Sequence, residues 1–594
     1  MPSDEPSRPY NWRPKSLAKL EILITQVMKT RIYITLIILS LCLSCRSLDR
    51  DPLSEASSET WYKNETQIQM SVNRLFHIDF WSDVQFLSSA LLKDECTDNF
   101  TRRTQLQSIT DATINGQTGF VTSIWKFAYK NIAAANLIIS NLHSAEGTVS
   151  QEKLALYEAN ARFSRACMYG KLIFLYGDVP FYTDNLPVDE FYSLGRSPKK
   201  QILEQVYEDF DFAIDNLPVS YSSNEFQYAT KGAAYAMKAR IALYMGDYAT
   251  ARDAAKGCMD LGVYKLYPDY EKLFQQGTKN SVETIFCIPR SIEQKSLFPD
   301  WVIRCQMLRV LGGWNNGGPS WDLFCSYLCT DGLPIDESPL FDPHEPFKNR
   351  DPRLRATIVE FGSEYLGIVY QPHPDSLLTT NVKTGARVSN RDSRGVDQYC
   401  SYNGLVYRKG MDESCLNYDA EHDQIVIRYA DVLLMYAESK IELNDIDQSV
   451  LDAMNQVRAR AYANEKTYPM ITTFAQDELR KILRIERRME FAWEGSRYED
   501  IIRWHLAEKV LNNPIYGLLD PVDLRDKVIS KGGWFFPEVP PIDEDGMVDF
   551  SSMYEKGLVK LLALRKFDRD KQYLWPIPTT EILINQNIEQ NPGY

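Results

Sequence analysis

The sequence is short of nearly everything that marks a metal or nucleotide enzyme. Its six histidines stand apart, with no His-x-x-x-His or His-Glu-x-x-His spacing, and beyond residue 45 its cysteines form no Cys-x-x-Cys pair. The common zinc signatures are therefore missing. No GxxxxGK[S/T] loop, GxSxG elbow or GxGxxG fingerprint is present, which removes the usual support for nucleotide binding and serine hydrolysis. Positive charge is also in deficit: 66 Lys and Arg stand against 80 Asp and Glu, a formal net charge of −14. An acidic surface repels phosphate backbones, so nucleic acid is not an expected partner. Disorder has little support either, because 44% apolar and 25% charged residues are ordinary for a folded chain. At 594 residues the chain is too long for one compact core, and its length suggests about three to four units or one large helical assembly. What is abundant is flat, amphipathic surface: 34 Tyr, 26 Phe and 11 Trp.

Long hydrophobic runs are missing except at one place. Ile32 to Leu43 is nearly all apolar. It is too short for a membrane-spanning helix, which needs about 20 residues, and fits the apolar region of a secretory signal. Met28-Lys29-Thr30-Arg31 directly before it makes a compact basic start, so translation is expected to begin at Met28, the alternative being a genuine long leader. The run ends in Leu43-Ser44-Cys45, where a small residue precedes Cys, as lipoprotein signal peptidase requires; Cys45 is the expected lipidation site. Two or three acyl chains on one residue anchor stably at about 0.8 kcal/mol per buried CH₂. Cys42 three residues earlier departs from the usual Leu, and a plain secretory signal cut nearby is the competing reading. Past Cys45 nine cysteines remain, an odd number at irregular spacings, and most read as small buried apolar residues.

The body of the chain has helical periodicity. Leu154 to Tyr176 repeats apolar residues at three and four, and Gln201 to Asn216 reads as a helix stopped by Leu217-Pro218. Gly232 to Met245, a Gly246-Asp247-Tyr248 turn and Ala249 to Met259 form a helical hairpin with Ala at packing positions, resembling a tetratricopeptide unit. Tyr429 to Leu443 with Ile446 to Tyr462, and Trp125 to Leu142 with Leu154 to Tyr176, are further candidate hairpins. Tyr235 and Tyr244 then belong to the core. Residues 277–425 are different, being rich in Gly, Pro, Asn and aromatics. Within them, Leu311-Gly-Gly-Trp314-Asn-Asn-Gly-Gly-Pro319 cannot hold a helix and predicts a surface loop carrying one Trp.

Taken in order, several segments resemble the SusD/RagB family of surface lipoproteins. They are Cys45-x-x-Leu48-Asp49-x-x-Pro52, then Trp125…Tyr129…Asn136, then Arg165-Ala166…Tyr176-Gly177-Asp178-Val179-Pro180. Asn349-Arg350-Asp351-Pro352-Arg353, Arg428-Tyr429-Ala430-Asp431, Glu486-Arg487-Arg488…Glu490…Glu494-Gly495-x-Arg497-Tyr498 and Trp575-Pro576-Ile577-Pro578…Asn591-Pro592-Gly593-Tyr594 follow. Each is weak alone; the ordered set is specific. The resemblance implies a mainly α fold: a SusD-like helical scaffold with tetratricopeptide-type hairpins and an irregular, loop-rich ligand-binding part. It divides the chain into a signal region 1–44, a helical region 45–276, the loop-rich region 277–425 and a helical region 426–594. It implies a cell-surface, outer-membrane lipoprotein that captures oligosaccharide and delivers it to a SusC-type TonB-dependent transporter, without catalysis, cofactor or metal. RagB-like members point to peptide as an alternative ligand. A protein-interaction scaffold and a surface glycoside hydrolase are rivals from other classes.

Most of these hallmarks read as structural. Asp351 is expected to cap a helix, Arg350 and Arg353 to make ion pairs, and Glu486 to Glu494 to form a salt-bridged helix face. Asp94, Glu95 and Asp98 carry no spacing that places two carboxylates across a sugar ring. Capture of a pyranose needs aromatic faces for its C–H side and Asn, Asp or Arg for its hydroxyl rim. The expected stacking platforms are Trp314, Trp81, Phe100 and Trp301, and the expected polar contacts are Asn99, Arg102, Arg103 and Asn315.

Overall fold

Caps and breakers set the helix ends. The computed structural model describes residues 61–81, 94–103, 106–221, 228–463 and 467–594, together with Met28. The chain divides into Met1–Trp61 and Tyr62–Tyr594, and the architecture below is that of the second unit. The expected signal segment past Met28 and the lipidation site Cys45 lie outside the described residues. Asn64 caps α1 (Glu65–Leu75) by accepting from the N–H of Gln67. The scaffold then runs through α2 (Gly119–Asn141), α3 (Gln151–Tyr176), α4 (Lys199–Asn216), α5 (Lys231–Tyr244) and α6 (Tyr248–Asp260). Ser150 caps α3, and Gly177, at φ +75°, ends it before Pro180. Asp247 caps α6 by accepting from Thr250 N–H at 3.1 Å.

Packing follows from the side chains these helices present. Ala233, Ala236, Ala239 and Ala242 of α5 and Ala251, Ala254 and Ala255 of α6 are all buried, so the two backbones lie close, as a helical hairpin requires. Tyr235 and Tyr244 are half-buried, and Tyr244 packs against Phe174 of α3 with ring centroids 5.0 Å apart. Arg165 of α3 crosses to Asp209 of α4 through two bonds of 2.8 and 2.7 Å and donates to Asn136 of α2 at 2.7 Å. One bidentate, buried pair thereby fixes three helices.

The middle of the chain is built from short ribbons and turns. Four strands matter here: β1 (Phe100–Arg102), β2 (Thr284–Ile288), β3 (Gly317–Pro319) and β4 (Gln424–Arg428). β1 pairs antiparallel with β3, Phe100 opposite Pro319 and Arg102 opposite Gly317. β2 pairs antiparallel with β4, Thr284 opposite Arg428. Short helices α7 (Asp300–Gln306), α8 (Trp321–Ser326) and α9 (Arg353–Thr357) stand among them. The C-terminal part holds α10 (Tyr429–Glu442), α11 (Gln448–Ala461), α12 (Gln476–Phe491) and α13 (Arg497–Arg503). The molecule is mainly α with few short strands, as expected. Among the described residues no helix is long and apolar enough to cross a membrane.

The C-terminal end of α12 is the centre of a buried charge network. Successive helical residues point about 100° apart, so Glu486, Arg487, Arg488 and Glu490 reach different neighbours. Glu490 accepts from Arg428 at 2.7 Å, from Arg353 at 3.1 Å and from Arg460. Glu486 takes Arg353 at 2.7 Å and Arg458 at 2.8 Å. Arg487 pairs with Asp431 at 2.9 Å and Asp500 at 3.0 Å, while Arg488 pairs with Asp98 at 2.8 Å. The expected salt-bridged face is therefore corrected: these charges do not pair along the helix on its surface but across the interior, with remote segments. Arg353 does pair, with Asp351 at 2.8 Å, and Asp351 accepts from the Arg353 N–H at the start of α9. Arg350 departs from expectation. It donates to the carbonyl oxygens of Pro346, Phe324 and Tyr327 instead of a carboxylate, tying the end of α8 to the turn before α9. All nine described cysteines are free, and all but Cys305 are buried.

Two predictions follow from the network. Glu490→Gln keeps the shape but leaves three guanidinium groups facing one neutral amide. It is expected to destabilise by about 3–5 kcal/mol, against under about 1 kcal/mol for breaking the exposed Lys256–Asp260 pair, both read from urea denaturation midpoints. The second concerns acid. Burial alone would raise the Asp431 carboxyl, but Arg240 and Arg487 outweigh it and hold its pKa at about 2. Burial would likewise raise Asp98, but Arg488 and Arg497 outweigh it and hold its carboxyl well below the usual carboxylate range. A depressed folded pKa gives stability that is full above the unfolded value of about 4 and is lost as pH falls toward the folded one. Stability measured from pH 7 downward should not fall before about pH 4.5, because Asp94 and Glu95, raised by burial to about 7, gain protons in the folded state over that range, and should drop steeply between pH 4 and 2.

Candidate ligand-binding site

A loop of poor helix formers follows α7 and is pinned at nearly every residue. The Gly313 N–H donates to the Leu308 carbonyl at 2.9 Å, and a Cβ at Gly313 would sit 2.1 Å from the Met307 carbonyl oxygen, so no larger residue fits. The Trp314 N–H donates to Arg304 O at 2.6 Å and the Asn316 N–H to Cys305 O at 3.3 Å. Asn315, at φ +43°, turns inward and is buried. Its Nδ2 donates to Asp392 at 3.2 Å, and the same carboxylate accepts the N–H groups of Arg309 and Val310 at 2.8 and 3.1 Å. Burial raises the Asp392 carboxyl above its ordinary value, and those three donors offset only part of that rise. The backbone is thus rigid, and the Trp314 ring stands 40% exposed above it.

A second exposed ring stands on a separate loop. Tyr399 is 50% exposed. Arg103 joins the two loops: its Nη1 donates to the Trp314 carbonyl at 3.3 Å and to the Tyr399 carbonyl, and its guanidinium lies 5.3 Å from the Tyr399 ring centre. Its own N–H donates to Asn316 O at 2.9 Å, next to the β1–β3 ribbon. Arg309 makes the same kind of bridge, donating to Gly313 O at 3.3 Å and lying 5.8 Å from the Tyr399 ring. Two guanidinium groups therefore hold a Trp and a Tyr on one surface, each with ring area facing water. That combination offers aromatic faces to the C–H side of a sugar and donors to its hydroxyls.

The remaining expected residues divide sharply. Trp81 is in the interior: its Nε1 donates to Leu75 O at 2.9 Å and its ring lies near-parallel to both Phe76 and Phe163, 6.3 and 6.1 Å away. Phe100 is also buried, stacked 5.6 Å from Trp493 with 4° between the rings. Asn99 is fully buried and accepts from Arg488 at 2.9 Å. These three have no free face or rim to offer, because strand β1 and the short helix at Ile78–Trp81 bury them beneath the surface. Arg102 is half-buried and spends its guanidinium on Glu95 at 2.8 Å. Trp301 is half-buried on α7, and Asn315 supports the loop from below. The structure brings Trp314 and Arg103 together on the open surface and adds Tyr399, which sequence reasoning missed. Tyr399 lies between Gln398 and Cys400 with no motif around it; its place in a Gly- and Asn-rich stretch was the one available signal.

Neither carboxylate chemistry nor metal chemistry finds an open site among the described residues. Asp98 is locked by Arg488 and Arg497, and Asp94 is fully buried, accepting from Gly495 N–H at 3.3 Å. Burial raises Asp94 and Glu95 to about 7, but no opening reaches Asp94, and Glu95 is engaged by Arg102 and Gln107. Asp412, Cys415 and His422 place ligand atoms within 4.8 Å of one another. Asp412 is already saturated: one oxygen accepts from the Ser414 N–H at 2.9 Å, the other from Gln276 N–H at 2.9 Å and pairs with His422 at 3.1 Å. That group is a turn clasp.

The family comparisons agree with this architecture. A model of the SusD family matches residues 306–594, and a model described as "Starch-binding associating with outer membrane" matches residues 48–243. A SusD-like protein P2 of Formosa agariphila is 26% identical over 582 residues, covering 94% of this chain and 99% of the relative. A SusD-like protein of Bacteroides ovatus is 24% identical over 486 residues, 78% of this chain and 80% of the relative. Among solved structures, a SusD-like carbohydrate-binding protein of Bacteroides fragilis superposes with a TM-score of 0.74 at 27% identity, covering 89% of this chain and 100% of that one. With a helical scaffold of the same shape and family models matching both its N-terminal and C-terminal parts, the chain belongs to the SusD-like family.

Proposed function

We propose that this protein captures a carbohydrate at the outer surface of the cell and passes it to a SusC-type TonB-dependent transporter, held to the membrane by a lipid on Cys45. The observation that carries the reading is the rigid Trp314–Tyr399 surface bridged by Arg103 and Arg309. It is supported by membership of a family with a carbohydrate-binding relative at 27% identity. Ring faces on a pre-ordered loop bind without the entropy cost of arranging them. Affinity is expected in the micromolar to millimolar range, since a few stacked rings must offset desolvation of a polar ligand. Capture followed by release suits that range. Capture is by binding alone, a reading supported by the carbohydrate-binding description of the relative at 27% identity.

The test is retention of the purified full chain on polysaccharide affinity gels, with a peptide mixture as the competing ligand. Trp314→Ala is expected to weaken glycan binding at least tenfold, about 1.4 kcal/mol, and Tyr399→Ala to weaken it in the same direction. Retention of peptide and not glycan would replace this reading with peptide capture. Release of reducing ends from a bound glycan would make the protein a hydrolase.

A further inference from the structure

The carbohydrate reading leaves the charge of the ligand open, and the arginines of this surface bear on it. Most of those near the loop are matched. Arg102 pairs with Glu95 at 2.8 Å, Arg304 with Asp300 at 3.1 Å and Arg394 with Asp520 at 2.6 Å. Arg309 and Arg391 share one carboxylate, Asp397, at 3.1 Å each. Arg103 is the exception. Among the described residues no carboxylate lies within ion-pair distance of it, and its Nη1 is satisfied by two carbonyl oxygens. Its Nε and Nη2 edge has no hydrogen-bond partner among the described residues, and the side chain is half-exposed. Asp392 does not compensate: it lies buried under the loop with its oxygens spent on Arg309, Val310 and Asn315.

The exposed aromatic pair is thus edged by three guanidinium groups and one surface carboxylate, on a chain whose formal net charge is −14. Local charge of the opposite sign to the whole protein is what an anion-specific site needs, because the rest of the surface repels the same ligand. The free Nε–Nη2 edge of an arginine is a planar two-donor fork that matches a carboxylate or a sulfate. Partial burial, and Arg309 nearby, lower the Arg103 pKa, a cost that a bound oxyanion would remove.

We propose, resting on the carbohydrate reading above, that the Trp314–Tyr399 surface takes an anionic saccharide whose oxyanion sits on the free edge of Arg103 while a neighbouring sugar ring lies on the exposed aromatic face. Carboxylate and sulfate present the same chemistry to this fork, so the experiment carries both. The purified full chain is titrated with matched pairs of polymers: dextran against dextran sulfate, and fully methyl-esterified against de-esterified polygalacturonate. The charged member of at least one pair should bind at least tenfold tighter than its neutral counterpart, and less tightly as salt rises from 50 to 300 mM. Arg103→Gln should cost at least tenfold more on that charged polymer than on its neutral counterpart, with Arg103→Lys, which keeps charge and loses the fork, intermediate. Circular dichroism confirms that each variant is folded. Trp314-dependent binding of neutral polymer with no preference for its charged partner would overturn this inference and leave the proposed function standing. Charged-polymer binding unchanged in both Arg103 variants would also overturn it, as unspecific attraction. Failure to bind any polymer of either pair, with failure on the polysaccharide gels above, would overturn both.

Discussion

Removing a charge from water is tolerable only where an opposite charge meets it, and the C-terminal half of α12 makes that demand four times in five residues. Glu486, Arg487, Arg488 and Glu490 are all buried, so each must find its partner on another segment. Their partners come from positions 98, 353, 428, 431, 458, 460 and 500. Satisfying them draws the loop-rich middle, the start of α10, the end of α11 and the turn before β1 onto one helix. A hydrophobic core of the same size would tolerate sliding; paired charges with fixed hydrogen-bond directions do not. The register of these segments follows from that, and with it the position of the ligand surface.

The surface inherits its rigidity from the same source through a short chain of contacts. Arg488 holds Asp98 and Asn99, and β1 begins one residue later at Phe100. β1 pairs with β3, and the Trp314 loop enters β3 directly. The Asp392 carboxylate under the loop and the Arg103 bridge above it complete the frame. Rings held in this way need no rearrangement to meet a sugar, so selectivity is set by what the fixed groups can accept.

The helical scaffold was largely legible because its signals are local. Apolar residues at three and four and the Gly and Pro stops place α3 to α6, α10 and α11 to within a few residues at each end, while α2 begins six residues before the expected Trp125. The loop around Trp314 was legible for the same reason, since four glycines and two asparagines leave no other option. The charge network was misread as a surface feature because its partners are separated by up to about 390 positions, and no local pattern encodes a remote counter-charge. Trp81, Phe100 and Asn99 look no different from ligand contacts in sequence, since an aromatic residue serves a core and a sugar equally well. What separates them is whether the backbone runs inward or outward, and that is decided by tertiary packing. Tyr399 was invisible for the converse reason: its neighbour Trp314 lies 85 positions earlier, joined to it through Arg103.

The span of the charge network has a consequence for the order in which the molecule is assembled. The hairpins from α2 to α6 close with partners made shortly before or after them, so they can form while synthesis continues. Asp98 and Asn99 emerge early, yet the arginines that hold them, at 488 and 497, are made roughly 390 residues later. Until then the stretch that becomes β1 has no counter-ion and no reason to turn inward. The frame beneath the aromatic surface is therefore not complete until α12 and α13 have been made. A chain ending before α12 would lack the partners of Asp98 and Asn99, which ties the maturity of the ligand face to the late segments of the polypeptide.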